Sequence, residues 1–213
     1  MPVVMQNESA RPEAHGLPPE RMTYEQFLAS TDENTHAEWV DGKVVFMGPV
    51  SREHATASQF LLEIISCFAS VKRLGEVYAD PFQMKTGPDL PGRAPDVIFV
   101  ANENLGRLKL NYLDGPADLV VEVISPENRA RDRGEKYYEY EEGGVREYWL
   151  IDRPRKKAEF YQRGPDGFYV PMPVGTDGRF ASVVLPGFWL QVDWLWQRPL
   201  VTLPQVLKDW GMA

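Results

Sequence analysis

The sequence is short of cysteine. Cys67 is the only one, so no disulfide can form within the chain, and the fold must rest on packing and hydrogen bonding. Such sparing thiol usage fits a reducing compartment, and the cytoplasm is the expected location. Apolar runs of membrane-spanning length are also missing. The opening residues, MPVVMQNESARPEAHGLPPE, lack a charged start followed by an apolar core, so no secretory signal is read there and no membrane role is expected. Positive charge is scarce. Lys and Arg number 23 against 31 Asp and Glu, a formal net charge of −8. That argues against a protein held to a polyanion by its overall field. It leaves room for a local basic groove or a borrowed divalent cation. No internal repeat occurs, and no biased segment beyond the first twenty residues.

What is present is the composition of a folded protein. Hydrophobic residues make up 43% and charged residues 25% of 213 positions, enough for one good core. Residues 1–20, rich in Pro, Glu and small polar types, read as a loose arm. Residues 21–213 read as a single domain. Thr23 and Gln26 have capping-box spacing at the head of a short helix, TYEQFLAST. Asp41-Gly42 between AEWV and KVVF is a hairpin signal. Residues 51–73 carry Ala57, Phe60, Leu61, Ile64, Ile65 and Phe68 at helical spacing, with Gly75 as the stop. EVYADPFQMKT is strand-like and broken at Pro81. GPDLPGRAP is a turn-rich loop, PDVIFV a short strand, and residues 103–115 a polar connection. Residues 129–142 read as a charged helix ending at Gly143-Gly144. VREYWLID and the segments after it read as strands, and a short helix covers residues 203–210. This order gives an α/β fold with a mixed sheet.

One stretch organises the rest. In DLVVEVISP, residues 118–126, an aliphatic strand is interrupted by Glu122. An ionised carboxylate there is costly unless it is paired, hydrogen-bonded or bound to metal. If nothing compensates it, Glu122→Ala raises stability without metal. PDVIFV repeats the pattern, with Asp96 entering an aliphatic strand. Two carboxylates on neighbouring strands repel unless a cation sits between them, and so few hard oxygen ligands suit Mg2+ or Mn2+.

The order Pro95-Asp96, then Glu122 in an aliphatic strand, then a helix, resembles the PD-(D/E)XK nuclease superfamily. More narrowly it resembles a bacterial group described as restriction endonuclease domains. The matching residues are EWVDG, His54 with Ala55, PDVIFV, LVVEVISP, Lys136 with Tyr140, and GVREYWLID, which together span most of the chain. The resemblance implies a restriction-endonuclease-like mixed sheet flanked by helices, with additional antiparallel strands at the C-terminal end. It implies Mg2+- or Mn2+-dependent phosphodiester hydrolysis on nucleic acid, DNA foremost, by a homodimer. Asp96 and Glu122 would be metal ligands, with the Val123 carbonyl as a third. Glu38 would stand near the same metal. The superfamily's lysine belongs two residues after the glutamate, on the same strand face. Ile124 holds that slot here, so Lys136 from the following helix is the substitute. His54, Arg93, Arg129, Arg131 and Arg133 are the candidate nucleic-acid contacts.

Plainer roles stand beside these. Glu122 could pair with Arg93 or Lys136 for structure alone, and Asp96 could cap a turn. Glu38 could be a solvated hairpin residue and His54 a helix cap. Lys136 could bridge to Asp132 on a helix surface, worth a few tenths of a kcal/mol. The arginines could be a solvated face balanced by Glu135, Glu139, Glu141 and Glu142. Phe188, Trp189, Trp194 and Trp196 could stack bases, but core or interface is the favoured reading. The rival to an enzyme is an inactive nuclease fold serving as a nucleic-acid- or protein-binding module. No separate specificity domain is visible.

Overall fold

A computed structural model of the chain describes residues 21–32, 35–125 and 133–212. The proposed arm, residues 1–20, lies outside them, as do Arg129, Arg131 and Asp132. Helix α1 (Tyr24–Ser30) starts at the expected capping box: the Gln26 amide donates to the Thr23 hydroxyl, and the Thr23 amide to the Gln26 side chain. Strands β1 (Ala37–Val40) and β2 (Lys43–Phe46) form the hairpin. Asp41 and Gly42 both take positive φ, 50° and 80°, the mirror-image turn whose twist matches paired strands. Helix α2 (Arg52–Lys72) ends earlier than Gly75 suggested. Arg73 adopts the left-handed cap at φ 55°, and Gly75 instead opens β3 (Gly75–Ala79).

The EVYADPFQMKT stretch splits at Asp80-Pro81, with β3 in one sheet and β4 (Gln83–Lys85) in another. The turn-rich loop contains a short strand, β5 (Gly92–Arg93), before β6 (Val97–Ala101). A 3-10 turn (Asn102–Arg107) leads to β7 (Tyr112–Asp114) and then β8 (Leu119–Val123). Helix α3 (Glu135–Gly143) ends at Gly144, which takes φ 91°. Strands β9 (Glu147–Asp152), β10 (Lys157–Arg163), β11 (Tyr169–Pro171), β12 (Arg179–Ala181) and β13 (Trp189–Gln191) follow. A 3-10 turn (Val192–Trp196) and helix α4 (Leu203–Asp209) come last.

The central sheet runs β11-β10-β9-β8-β6-β3, antiparallel throughout except for the parallel pair β8 and β9. A smaller sheet runs β2-β1-β5-β4-β7, and β12 pairs with β13. Alternation sorts the central strands by face. Val97, Phe99, Val121, Val123, Trp149 and Ile151 pack with α2 and the C-terminal segment, including Phe188 and Trp194. Ile98, Val100, Val120, Tyr148 and Leu150 face the other way, toward Tyr140 of α3 and Met84 of the smaller sheet. β8 is buried on both faces, which is why its sequence does not alternate. Glu122 falls on the α3 face. The α/β expectation with a mixed sheet and C-terminal antiparallel strands holds, and Phe188 and Trp194 are core residues.

Glu147 ties the C-terminal segment to the central sheet. It is fully buried and accepts from Trp149 Nε1 at 2.7 Å, Ser182 Oγ at 3.1 Å, and the amides of Val183 and Val184 at 2.9 and 3.2 Å. Burial pushes its carboxyl pKa up, against the pull of these four donors. Glu147→Ala strands all four donors. We expect a loss of about 3 kcal/mol of stability, read as a lower urea midpoint. The sign of the pH effect follows from the raised pKa. The folded state binds more protons than the unfolded one, so the contribution of Glu147 is fullest below the ordinary carboxylate value of 4.5 and declines above it. Urea unfolding across pH should therefore show the advantage of wild type over Glu147→Gln narrowing as pH rises.

Candidate active site

Strand register sets the positions of Asp96 and Glu122 side by side. β6 and β8 pair antiparallel with Val97 opposite Val121, and one further step puts Asp96 opposite Glu122. Asp96 stands where the ladder ends, and its Oδ2 accepts the Val123 amide at 2.6 Å. Within a strand a residue's N–H and C=O point to the same neighbour, so the Val123 carbonyl also faces the Asp96 side. Glu122 is compensated. Its Oε1 accepts the Lys136 ammonium at 2.7 Å and the Tyr140 hydroxyl at 2.8 Å. Lys136 and Tyr140 are one helical turn apart on the buried side of α3. Burial, then the charge of Glu122, pushes the Tyr140 hydroxyl pKa well up, so it stays a proton donor.

Lys136 also lies 3.4 Å from Glu38 Oε1. Glu38 is fully buried in β1 rather than solvated at the hairpin, and it pairs with Arg93 at 2.9 Å. Arg93 in turn grips Glu139 of α3 through two hydrogen bonds, 2.6 and 2.8 Å. Burial alone would lower the Arg93 pKa, but Glu139 and Glu38 hold its charge and raise it overall. Lys136 is only 2% exposed, so the surface-bridge reading fails for it.

The expected phosphate contacts need correction. Arg93 is 1% exposed and committed to two carboxylates, so it braces the site from inside and offers nothing to a ligand. Arg133 pairs with Glu159 of β10 and lies 3.7 Å from Asp152, lining a separate cavity with Tyr137 and Tyr161. Arg129 and Arg131 fall outside the described residues. His54, however, is at the site. Its backbone amide is capped by Ser51, and its ring Nε2 lies 3.3 Å from Asp96 Oδ1. Ser58, one turn on in α2, lies 3.4 Å from both His54 Nδ1 and Asp96 Oδ1.

Asp96, Glu122, Val123, Lys136 and His54 line one open cleft of about 750 Å³. Glu38 stands behind it, buried. His36 and Asp80 were not singled out from the sequence, yet they line the same cleft, with His36 Nε2 2.7 Å from Asp80. Burial pushes the Asp80 carboxyl pKa up, partly offset by His36. A signal existed for Ser58, four residues after His54, but none for Asp80, which enters only because the chain crosses between sheets there.

Asp96, Glu122 and Val123 could offer a cation two carboxylates and one carbonyl, all hard oxygens, at the edge of an open space. Among the described residues no group of three or more His, Cys, Asp or Glu is placed to enclose a metal ion. No helix among the described residues is long and apolar enough to cross a membrane.

A search of curated proteins finds no significant match. Among solved structures, the chain is similar to a crystal structure described as "a putative nuclease belonging to DUF820 from Anabaena variabilis ATCC 29413". The TM-score is 0.68 at 16% identity, covering 82% of this chain and 97% of that one, a likeness of fold. A family profile named Uma2 and described as "Putative restriction endonuclease" matches residues 24–193. Since that match takes in both β6 and β8 and reaches from α1 into the C-terminal strands, the chain belongs to the Uma2 family.

Proposed function

We propose that the protein is a divalent-metal-dependent nuclease whose cleft takes nucleic acid, DNA foremost. One observation carries this reading: Asp96, just ahead of β6, lies across from Glu122 of β8, and both open on a single cleft, with Lys136 bonded to Glu122. Asp96, Glu122 and the Val123 carbonyl would hold Mg2+ or Mn2+. When bound, such an ion supplies Lewis-acid polarisation of a phosphoryl group and greater acidity of a coordinated water. The family's description and the nuclease-described neighbour support the nuclease part of this reading. The same reading puts the protein in the cytoplasm and has two copies of the chain acting together on nucleic acid.

The chain's own groups then have distinct roles. Tyr140 and Lys136 fix the orientation of Glu122 from the α3 side. His54 and the Val123 amide fix Asp96. Lys136 lines the cleft and would bring its ammonium group to the place where phosphate charge develops, taking the part that Ile124 cannot. Glu38, Arg93 and Glu139 hold Lys136 in place from behind.

Cleavage assays on mixed DNA and RNA substrates with Mg2+ or Mn2+ test the reading. We expect Asp96→Asn and Glu122→Gln to abolish turnover while circular dichroism and gel filtration stay as in wild type. Lys136→Met is expected to lower kcat by roughly 10²–10³-fold while changing metal affinity less. Cleavage retained by either carboxylate variant overturns the assignment, and wild type that binds metal without cleaving favours the inactive binding module. A stability prediction follows from the pairing of Glu122. Its removal leaves the Lys136 ammonium and Tyr140 hydroxyl buried with a lost partner. Glu122→Ala is therefore expected to destabilise the metal-free protein by about 2–4 kcal/mol, where an uncompensated acid would have given a gain.

A further inference from the structure

The cleft does not end at Asp96. A second cavity of about 390 Å³ adjoins it. The two share His36, His54, Asp80, Asp96 and residues 48–50, so they form one trough. Beyond the shared residues the second cavity runs along α2, past Ala55, Ser58, Gln59 and Leu62, to Ala79 at the end of β3.

The chemistry of this extension differs from that of the cleft. Among the described residues lining it there is no Lys or Arg, and its charged groups are Asp80 and Asp96. It is a poor place for a phosphate, whose countercharge lies in the cleft at Lys136. Its walls combine Leu62, Val50, Pro49 and Ala55 with hydrogen-bonding groups on Gln59, Ser58, His36 and Asp80. Apolar faces with a few polar groups along an edge suit a flat, neutral, hydrogen-bonding ring. The His36–Asp80 pair sits where the two cavities join, and both side chains are partly exposed, 38% and 30%. Nε2 of His36 is engaged by Asp80, whereas Nδ1 has no hydrogen-bond partner among the described residues. One ring nitrogen is thus fixed by the carboxylate and the other remains for a ligand.

We propose that the second cavity is a subsite for one unpaired nucleoside, the neighbour of the scissile phosphate, with His36 and Asp80 as its polar edge. This rests on the nuclease reading. The phosphate lies at Asp96, Glu122 and Lys136, and the attached sugar and base turn into the extension. A base can enter only by leaving its stack, so an unpaired strand is favoured over an intact duplex, whose opening costs free energy. His36 and Asp80 act here as binding groups.

Fluorescein-labelled twelve-nucleotide single-stranded DNA provides the probe, read by anisotropy for affinity and by gel for cleavage. An abasic site is moved along the oligonucleotide one position at a time. For wild type we expect one position, next to the cut, where the missing base raises Kd roughly five-fold or more, as loss of a base contact does elsewhere. His36→Ala, and Ala55→Trp to fill the cavity, should raise Kd and KM for the intact strand by a similar factor, with kcat within about two-fold. In both variants the abasic site should add little further loss, because the contact is already gone. A wild-type scan that is flat beside intact cleavage overturns the subsite and leaves the nuclease reading standing. So does an abasic penalty that persists in both folded variants. Failure of wild type to bind or cut any oligonucleotide overturns the nuclease reading, and the subsite falls with it.

Discussion

The buried ion pair between Glu122 and Lys136 is the contact on which the site depends. A carboxylate inside a strand covered on both faces is tolerable only with a partner that cannot leave, and α3 supplies that partner together with the Tyr140 hydroxyl. The pairing continues as an alternating series. Glu122 meets Lys136, Lys136 meets Glu38, Glu38 meets Arg93, and Arg93 meets Glu139. Each charge inside it has opposite charges on either side, and the series crosses from the central sheet through α3 to the smaller sheet and returns to α3. Deleting an interior member strands its neighbours, so these residues hold the wall of the cleft as well as its chemistry.

The cleft exists because the chain changes sheets beside it. Between β5 and β6 the backbone passes from the smaller sheet to the central one, with Arg93 bracing one side of the crossing and Asp96 opening on the other. The crossing at Asp80-Pro81, between β3 and β4, runs the opposite way. Neither crossing can fill the space between the sheets, and His36, Asp80, Asp96 and Glu122 line what is left.

Much of this was legible in the residues, for identifiable reasons. The β8 strand, the Asp41-Gly42 hairpin and the apolar face of α2 carry strong local signals, and the structure contains each. The facing of Asp96 and Glu122 could be guessed because both enter aliphatic strands. The role of Arg93 could not. An arginine in a turn-rich segment reads as a surface cation, and only the pairing of β5 with β1 puts it opposite Glu38 and inside. Glu38 was misleading for the same reason: a strand position before a tight turn is normally wet, and here Lys136 of α3 and Arg93 of β5 close over it. His36 and Asp80 come together across forty-four positions, a contact that tertiary structure alone creates.

The central claim is that Asp96 and Glu122 grip one divalent ion, and the most direct measurement is anomalous diffraction from a crystal soaked in Mn2+. The account expects a single strong anomalous peak between the two carboxylates, within bonding distance of both and close to the Val123 carbonyl. A peak elsewhere, or none at a concentration that supports cleavage in solution, would contradict it.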